Sequence, residues 1–324
     1  MSNYTADVVR ITSNRALIYE VFIDYVPNRK GNKQFKTEGF ENRTKGELSQ
    51  ASKKRIMSII DTWTTSLEVY HYIKGNPREA LKNDIGFLTL TLPSKQAHTD
   101  RELKRLALNP FLIWLRRSQK VTSHLWVAEK QKNGNLHFHI VVNQKVHYEK
   151  ITRQWNNILR PLGYIEQYRQ NQLTWHSNGF RCREELTGHW DIKSQYRAYL
   201  LGMAADWQHP NSTDIHSLKR IDNVGQYFIK ELTKGSRGLP VDGKIYGNSD
   251  HLSHIKPFTM QNTWEVNNWL KGLAMSGKVI NKRAEKYDLY RGLLLPSLKK
   301  TLPQQYRELQ RHYMHQLKVI GYRH

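Results

Sequence analysis

Two β-prone runs, residues 122–130 and 136–143, flank the dipeptide Asn133-Gly134, and that pattern commits the middle of the chain to an antiparallel hairpin. In the second run, His137-Phe138-His139-Ile140 alternates polar with apolar. Successive side chains of a strand point to opposite faces, so His137 and His139 share one face while Phe138 and Ile140 turn to a core. The run 85–92, apolar with interspersed threonines, reads as a further strand stopped by Pro93.

Around these strands the periodicity is helical. From Ser49, the residues Ile56, Ile59, Ile60 and Trp63 recur on one face, with Lys53, Lys54 and Arg55 beside them. Residues 101–120 carry Leu103, Leu106, Phe111, Trp114 and Leu115 at helical spacing, with a break expected at Pro110. Further helices are expected over 148–159, 194–207 and 223–234, the last capped by Gly235. Residues 16–23 suggest a strand and 27–46 a loop, whereas 164–190 show no clear period. The expected fold class is α+β: a central antiparallel sheet of about five strands flanked by helices, with appended helical segments. The expected division is an N-terminal strand and helix extension (1–82), a core (83–250) and a basic helical C-terminal module (251–324).

Charge restricts the partners. Lys and Arg total 51 against 28 Asp and Glu, a net +23. An excess of that size repels itself unless a polyanion neutralises it, which points to nucleic acid. No basic amphipathic helix stands out as a membrane anchor, and no apolar run reaches spanning length, so a soluble cytoplasmic protein is expected. Cys182 is the only cysteine, which excludes an intramolecular disulfide and a cysteine-rich zinc site.

Two imidazoles on one strand face can grip a divalent metal ion. Glu129, on the neighbouring strand, could add a carboxylate, but only in one class of register. A two-residue loop at Asn133-Gly134 places Glu129 opposite Phe138, on the wrong face. A three-residue loop over 133–135 places it opposite His139, on the metal face, with Gln131 facing His137 as the substitute ligand. Further along, Asp222-Asn223-Val224-Gly225-Gln226-Tyr227-Phe228-Ile229-Lys230 reads as a capped helix with Tyr227 and Lys230 on one face. A phenol attacks phosphate only with help from a metal and a nearby cation, which Lys230 could be.

The order Phe87-Leu88-Thr89-Leu90-Thr91-Leu92-Pro93, then His-Phe-His, then Tyr-x-x-Lys resembles the three motifs of the HUH endonuclease superfamily, in its rolling-circle replication initiator branch. The resemblance spans about residues 83–235 and extends to initiators of small circular single-stranded-DNA phages and plasmids. It implies a metal pair at His137 and His139, an acidic ligand at Glu129, a nucleophile at Tyr227 and an accompanying Lys230. It also implies Mg or Mn as the ion, single-stranded origin DNA as substrate, and a host helicase and polymerase as partners. The implied reaction is nicking through a 5′-phosphotyrosine, with strand rejoining by reversal. Asn223 stands where two-tyrosine initiators carry their other tyrosine, so this would be a single-tyrosine enzyme. Relaxases place their tyrosine before the histidine pair. Tyr4, Tyr19 and Tyr25 hold that place but lack the helical lysine.

Other readings stay open. A transposase of the same superfamily would use the same chemistry, and a DNA-binding or copy-control protein would keep the histidines as structural groups. A zinc hydrolase would need a further ligand, for which His251 and His254 are candidates. His98, His124 and His216 are expected to be structural. Residues 238–244 have P-loop spacing, but Ile245 replaces the Ser or Thr that would bind magnesium, so no ATPase is expected.

Overall fold

The computed structural model describes residues 4–23, 46, 48–75, 85–188, 190–217 and 240–322. In chain order the first half contains β1 (Tyr4–Thr12), β2 (Arg15–Ile23), α1 (Gln50–Ile73), β3 (Gly86–Leu90), α2 (Asp100–Leu103), α3 (Asn109–Ser118), β4 (His124–Lys130), β5 (Leu136–Val142) and α4 (Tyr148–Leu159). The second half contains α5 (Tyr164–Trp175), α6 (Ile192–Ala204), β6 (Thr213–Ser217), β7 (Tyr246–Asn248), β8 (Phe258–Gln261) and α7 (Trp264–Met275). It closes with β9 (Ile280–Ala284), β10 (Tyr287–Arg291), α8 (Leu295–Thr301) and α9 (Pro303–Val319). The helix expected over 223–234 lies outside the described residues. These residues divide into two units, one made of 4–85 and 248–322, the other of 86–217 and 240–247.

The first unit is built on a five-stranded sheet in the order β8-β1-β2-β10-β9. Residues expected to be helical therefore supply three of its strands, and the two outer segments of the chain share one sheet. Val9, Ile11, Ala16 and Ile18 from the hairpin bury against Trp269, Leu270 and Leu273 of α7 and Leu309 and Tyr313 of α9. The Tyr313 hydroxyl donates to the Ile11 carbonyl at 2.5 Å and accepts from the Phe258 amide at 3.2 Å. Arg15 and Asp61 form a salt bridge. Burial pushes the Asp61 carboxyl up despite the guanidinium beside it.

The second unit carries the expected antiparallel sheet of five strands, in the order β6-β3-β5-β4-β7, so β5 lies at its centre. One face of it forms the core: Leu88, Leu90, Trp126, Ala128, Phe138, Ile140 and Val142 pack against Phe111 and Leu115 of α3 and Ile151, Trp155 and Leu159 of α4. Pro110 does not break the helix where expected. Residues Lys104–Leu108 form a π turn, and the Asn109 amide reaches back to the Lys104 carbonyl. Proline brings no amide hydrogen and crowds the preceding turn, and the wider turn accommodates both, leaving Pro110 in the first turn of α3.

The segment after Pro93 also fixes the hairpin's position. Asn135, 4% exposed, donates from Nδ2 to the Ser94 carbonyl at 2.8 Å and accepts the Gln96 amide at 2.9 Å. The Gln96 side-chain oxygen accepts the Leu136 amide at 2.7 Å. Asp100 ties in Lys130 at 2.5 Å and the Asp242 amide at 2.9 Å. Burial raises the Asp100 carboxyl, but bonds from Lys130, Gln96 and Asp242 outweigh it and hold it below the usual carboxylate range.

Candidate metal centre

The hairpin register decides whether the three expected ligands meet. Gln131 donates its amide to the Asn135 carbonyl, and Gly134, at φ 83°, donates its amide to the Gln131 carbonyl. This is a three-residue loop over 132–134, closed by a glycine in the left-handed region. The loop has the expected odd length but sits one residue earlier than the expected 133–135. Glu129 therefore pairs with His137, not with His139. Because the side-chain period is two, this shift of a whole pair keeps Glu129 on the histidine face. The same shift moves Gln131 across from Asn135 and away from His137, so the substitute ligand is lost to the turn.

The outcome is one cluster. Ligand atoms of Glu129, His137 and His139 all lie within 4.8 Å of one another, the one group of three such donors among the described residues. His139 Nε2 stands 2.9 Å from Glu129 Oε1. His137 and His139 are 8% and 7% exposed, and their ring centroids are 4.5 Å apart. Burial first, and the neighbouring His139 second, lower the His137 pKa to about 3, so its imidazole is neutral near pH 7.

Two buried polar atoms in the cluster have no hydrogen-bond partner, Glu129 Oε2 and His137 Nδ1. A buried carboxylate oxygen and a buried imidazole nitrogen each cost free energy when left unpaired, and a cation between them would satisfy both. Two neutral imidazoles and one carboxylate are also a donor set that suits a divalent ion. The residues present fit such an ion.

Two further side chains touch His139, and neither has a role in the motif reading. Thr89 Oγ1 is 3.2 Å from His139 Nδ1, and the Phe87 ring stacks on the imidazole with centroids 5.5 Å apart. Their signal was present in the alternation of Phe87, Thr89 and Thr91 along β3, but only strand pairing shows that Thr89 lies opposite His139.

Tyr227 and Lys230 lie outside the described residues. His251 and His254 flank a short 3-10 turn, Asp250–Ser253. There His254 Nε2 is 3.6 Å from Asp250 Oδ2. His98 Nδ1 meets the Tyr164 hydroxyl at 3.1 Å. That hydroxyl also accepts the Ala97 and His98 amides, so His98 belongs to the fold of that loop. After Lys244 the chain enters β7, not the helix a P-loop requires, in keeping with a turn. No helix among the described residues is long and apolar enough to cross a membrane.

Residues 85–236 match a family model of replication-associated proteins, the ORF2 family. This stretch contains β3, β4, β5 and the whole candidate centre, and the match is consistent with a replication-associated protein. No curated protein and no solved structure matches the chain.

Proposed function

We propose that this protein is a replication initiator that nicks and rejoins single-stranded origin DNA through Tyr227, with a divalent ion held by Glu129, His137 and His139. The observation that carries the reading is the pair of buried, unpartnered ligand atoms, Glu129 Oε2 and His137 Nδ1, inside the stretch that matches a replication family. When bound, the ion supplies positive charge to a phosphodiester oxygen and makes the phosphorus easier to attack. The neutral state of His137 leaves its nitrogen lone pair free for that ion near pH 7.

The bond changes follow from the residues assigned. The Tyr227 oxygen bonds to phosphorus as the bond from phosphorus to the 3′ oxygen breaks. The phenol proton is released, and the departing 3′ oxygen takes up a proton to become a free hydroxyl. A 5′-phosphotyrosine remains, and attack by another 3′ hydroxyl reverses the step and restores Tyr227. Lys230 stabilises the charge that develops on the phosphate. The net +23 of the chain supports binding to the DNA backbone, and a host polymerase and helicase would extend and unwind from the nick. Mixed imidazole and carboxylate ligation favours Mn over Mg, because imidazole is a softer donor than the oxygen shell Mg prefers.

The test is incubation with a labelled single-stranded oligonucleotide pool and Mn, then a denaturing gel and peptide mass mapping. The expected result is a DNA adduct on Tyr227 that His137→Ala removes. Cleavage without an adduct would replace this reading with a hydrolase. Binding with neither would leave a DNA-binding protein with structural histidines.

A further inference from the structure

We propose that Thr89, in the strand Phe87-Leu88-Thr89-Leu90, is a positioning residue that fixes which nitrogen of His139 meets the metal ion. The inference rests on the metal reading above and adds a role for a motif to which that reading gives none. Thr89 lies directly opposite His139 in the ladder between β3 and β5. Its hydroxyl is 3.2 Å from His139 Nδ1, in a site where Thr89 is 7% exposed. The other nitrogen, Nε2, points to Glu129 at 2.9 Å. Phe87, two residues earlier on the same face, stacks on the ring at an interplanar angle of 28° and restricts its tilt.

An imidazole offers its lone pair from one nitrogen only when the proton sits on the other. A hydroxyl both donates and accepts, so Thr89 can donate to Nδ1 in the metal-free protein and accept Nδ1–H once Nε2 binds the ion. Thr89 thereby holds Nε2 as the ligand atom in either state. His137 differs, since its Nδ1 is buried with no such partner. The two histidines are therefore set up unequally, one oriented by β3 and the other free to turn its unpartnered nitrogen toward the ion. Removing the outer partner of a metal-bound histidine weakens affinity by about 10- to 100-fold.

Calorimetric titration of the full chain with Mn, without DNA, tests this. Thr89→Val keeps the shape of the side chain but removes its hydroxyl, and it should weaken Mn binding about tenfold or more. Thr89→Ser keeps the hydroxyl and should stay within about threefold of the native protein on the same scale. His137→Ala, the control for the site, should abolish binding. Native affinity in Thr89→Val overturns the inference and leaves the metal reading standing. Equal weakening in both Thr89 variants also overturns it, because the lost methyl packing would then be the cause. No Mn binding by the native chain overturns the metal reading and this inference with it. Should Thr89→Val fail to fold, nitrogen NMR of the native protein loaded with Zn decides. A protonated Nδ1 and a metal-bound Nε2 on His139 support the inference, and ligation through Nδ1 overturns it.

Discussion

His137 is buried beside a second imidazole, and this makes the fold sensitive to acid. Its folded pKa is about 3, against an ordinary 6.5. As pH falls below 6.5, the unfolded chain takes up a proton that the folded chain refuses until about pH 3. The associated stability is present above the ordinary value and is lost progressively across that window. Melting temperature should therefore fall on acidification from about pH 7 to about pH 4, and fall less steeply in His137→Gln. Equal slopes in the two proteins would show that other groups dominate the acid response. The cluster also predicts a response to metal. An ion that binds the folded chain alone raises its stability, by about 2.7 kcal/mol at a hundredfold excess over Kd. Thermal denaturation with and without Mn should show a rise in the native protein and none in Glu129→Ala.

Among the elements, the hairpin of β4 and β5 sets the geometry of the site, and Asn135 secures that hairpin to the loop after β3. Asn135→Ala removes the bonds to Ser94 and Gln96 and leaves a buried amide and carbonyl short of partners. A loss of about 1–3 kcal/mol in chemical denaturation is expected, with weaker Mn binding as the loop and hairpin loosen. A change within error would mean that water replaces both bonds. Much of this hairpin was legible in the sequence, because Asn133-Gly134 and the alternation His137-Phe138-His139-Ile140 are local signals. Other elements were not. β9 has every residue exposed, so it carries no apolar side to announce a strand, and its Lys282 and Arg283 suit an edge that must not pair further. α5 buries only Tyr164 and Ile165, too few for a helical stripe, and β1 alternates over a stretch interrupted by Asp7 and Arg10.

For the whole molecule, the first unit is closed by residues far apart in the chain. Tyr313 bonds to Ile11, and β10 pairs with β2 over Tyr287–Arg291. Deleting residues 251–324 should therefore destabilise the N-terminal hairpin as well. The expected outcome is a soluble yield well below that of the full chain, or loss of the cooperative unfolding transition seen by circular dichroism. A separately folding C-terminal module would leave that transition unchanged. The net charge of +23 makes a second expectation at this scale. Affinity for a single-stranded oligonucleotide should fall at least about hundredfold between about 50 and about 200 mM salt, since each phosphate contact releases a counterion. Fluorescence anisotropy across that range measures the slope, and a flat profile would remove backbone charge as the basis of binding.

The sequence by itself determined the features set by local rules: the antiparallel centre, the shared face of His137 and His139, the helical stripes of α1, α4 and α7, and a charge that calls for a polyanion. Side-chain period and turn chemistry act within a few residues, so they can be read without a structure. Only the tertiary structure decided the register that brings Glu129 to the histidines, because a loop one residue longer or shorter would send it to the other face. It alone joined β8, β9 and β10 to the N-terminal hairpin, and it alone set Thr89 against His139. Such pairings link residues far apart in the chain, and what selects among them is the burial of whole faces together with the backbone hydrogen bonds they must satisfy.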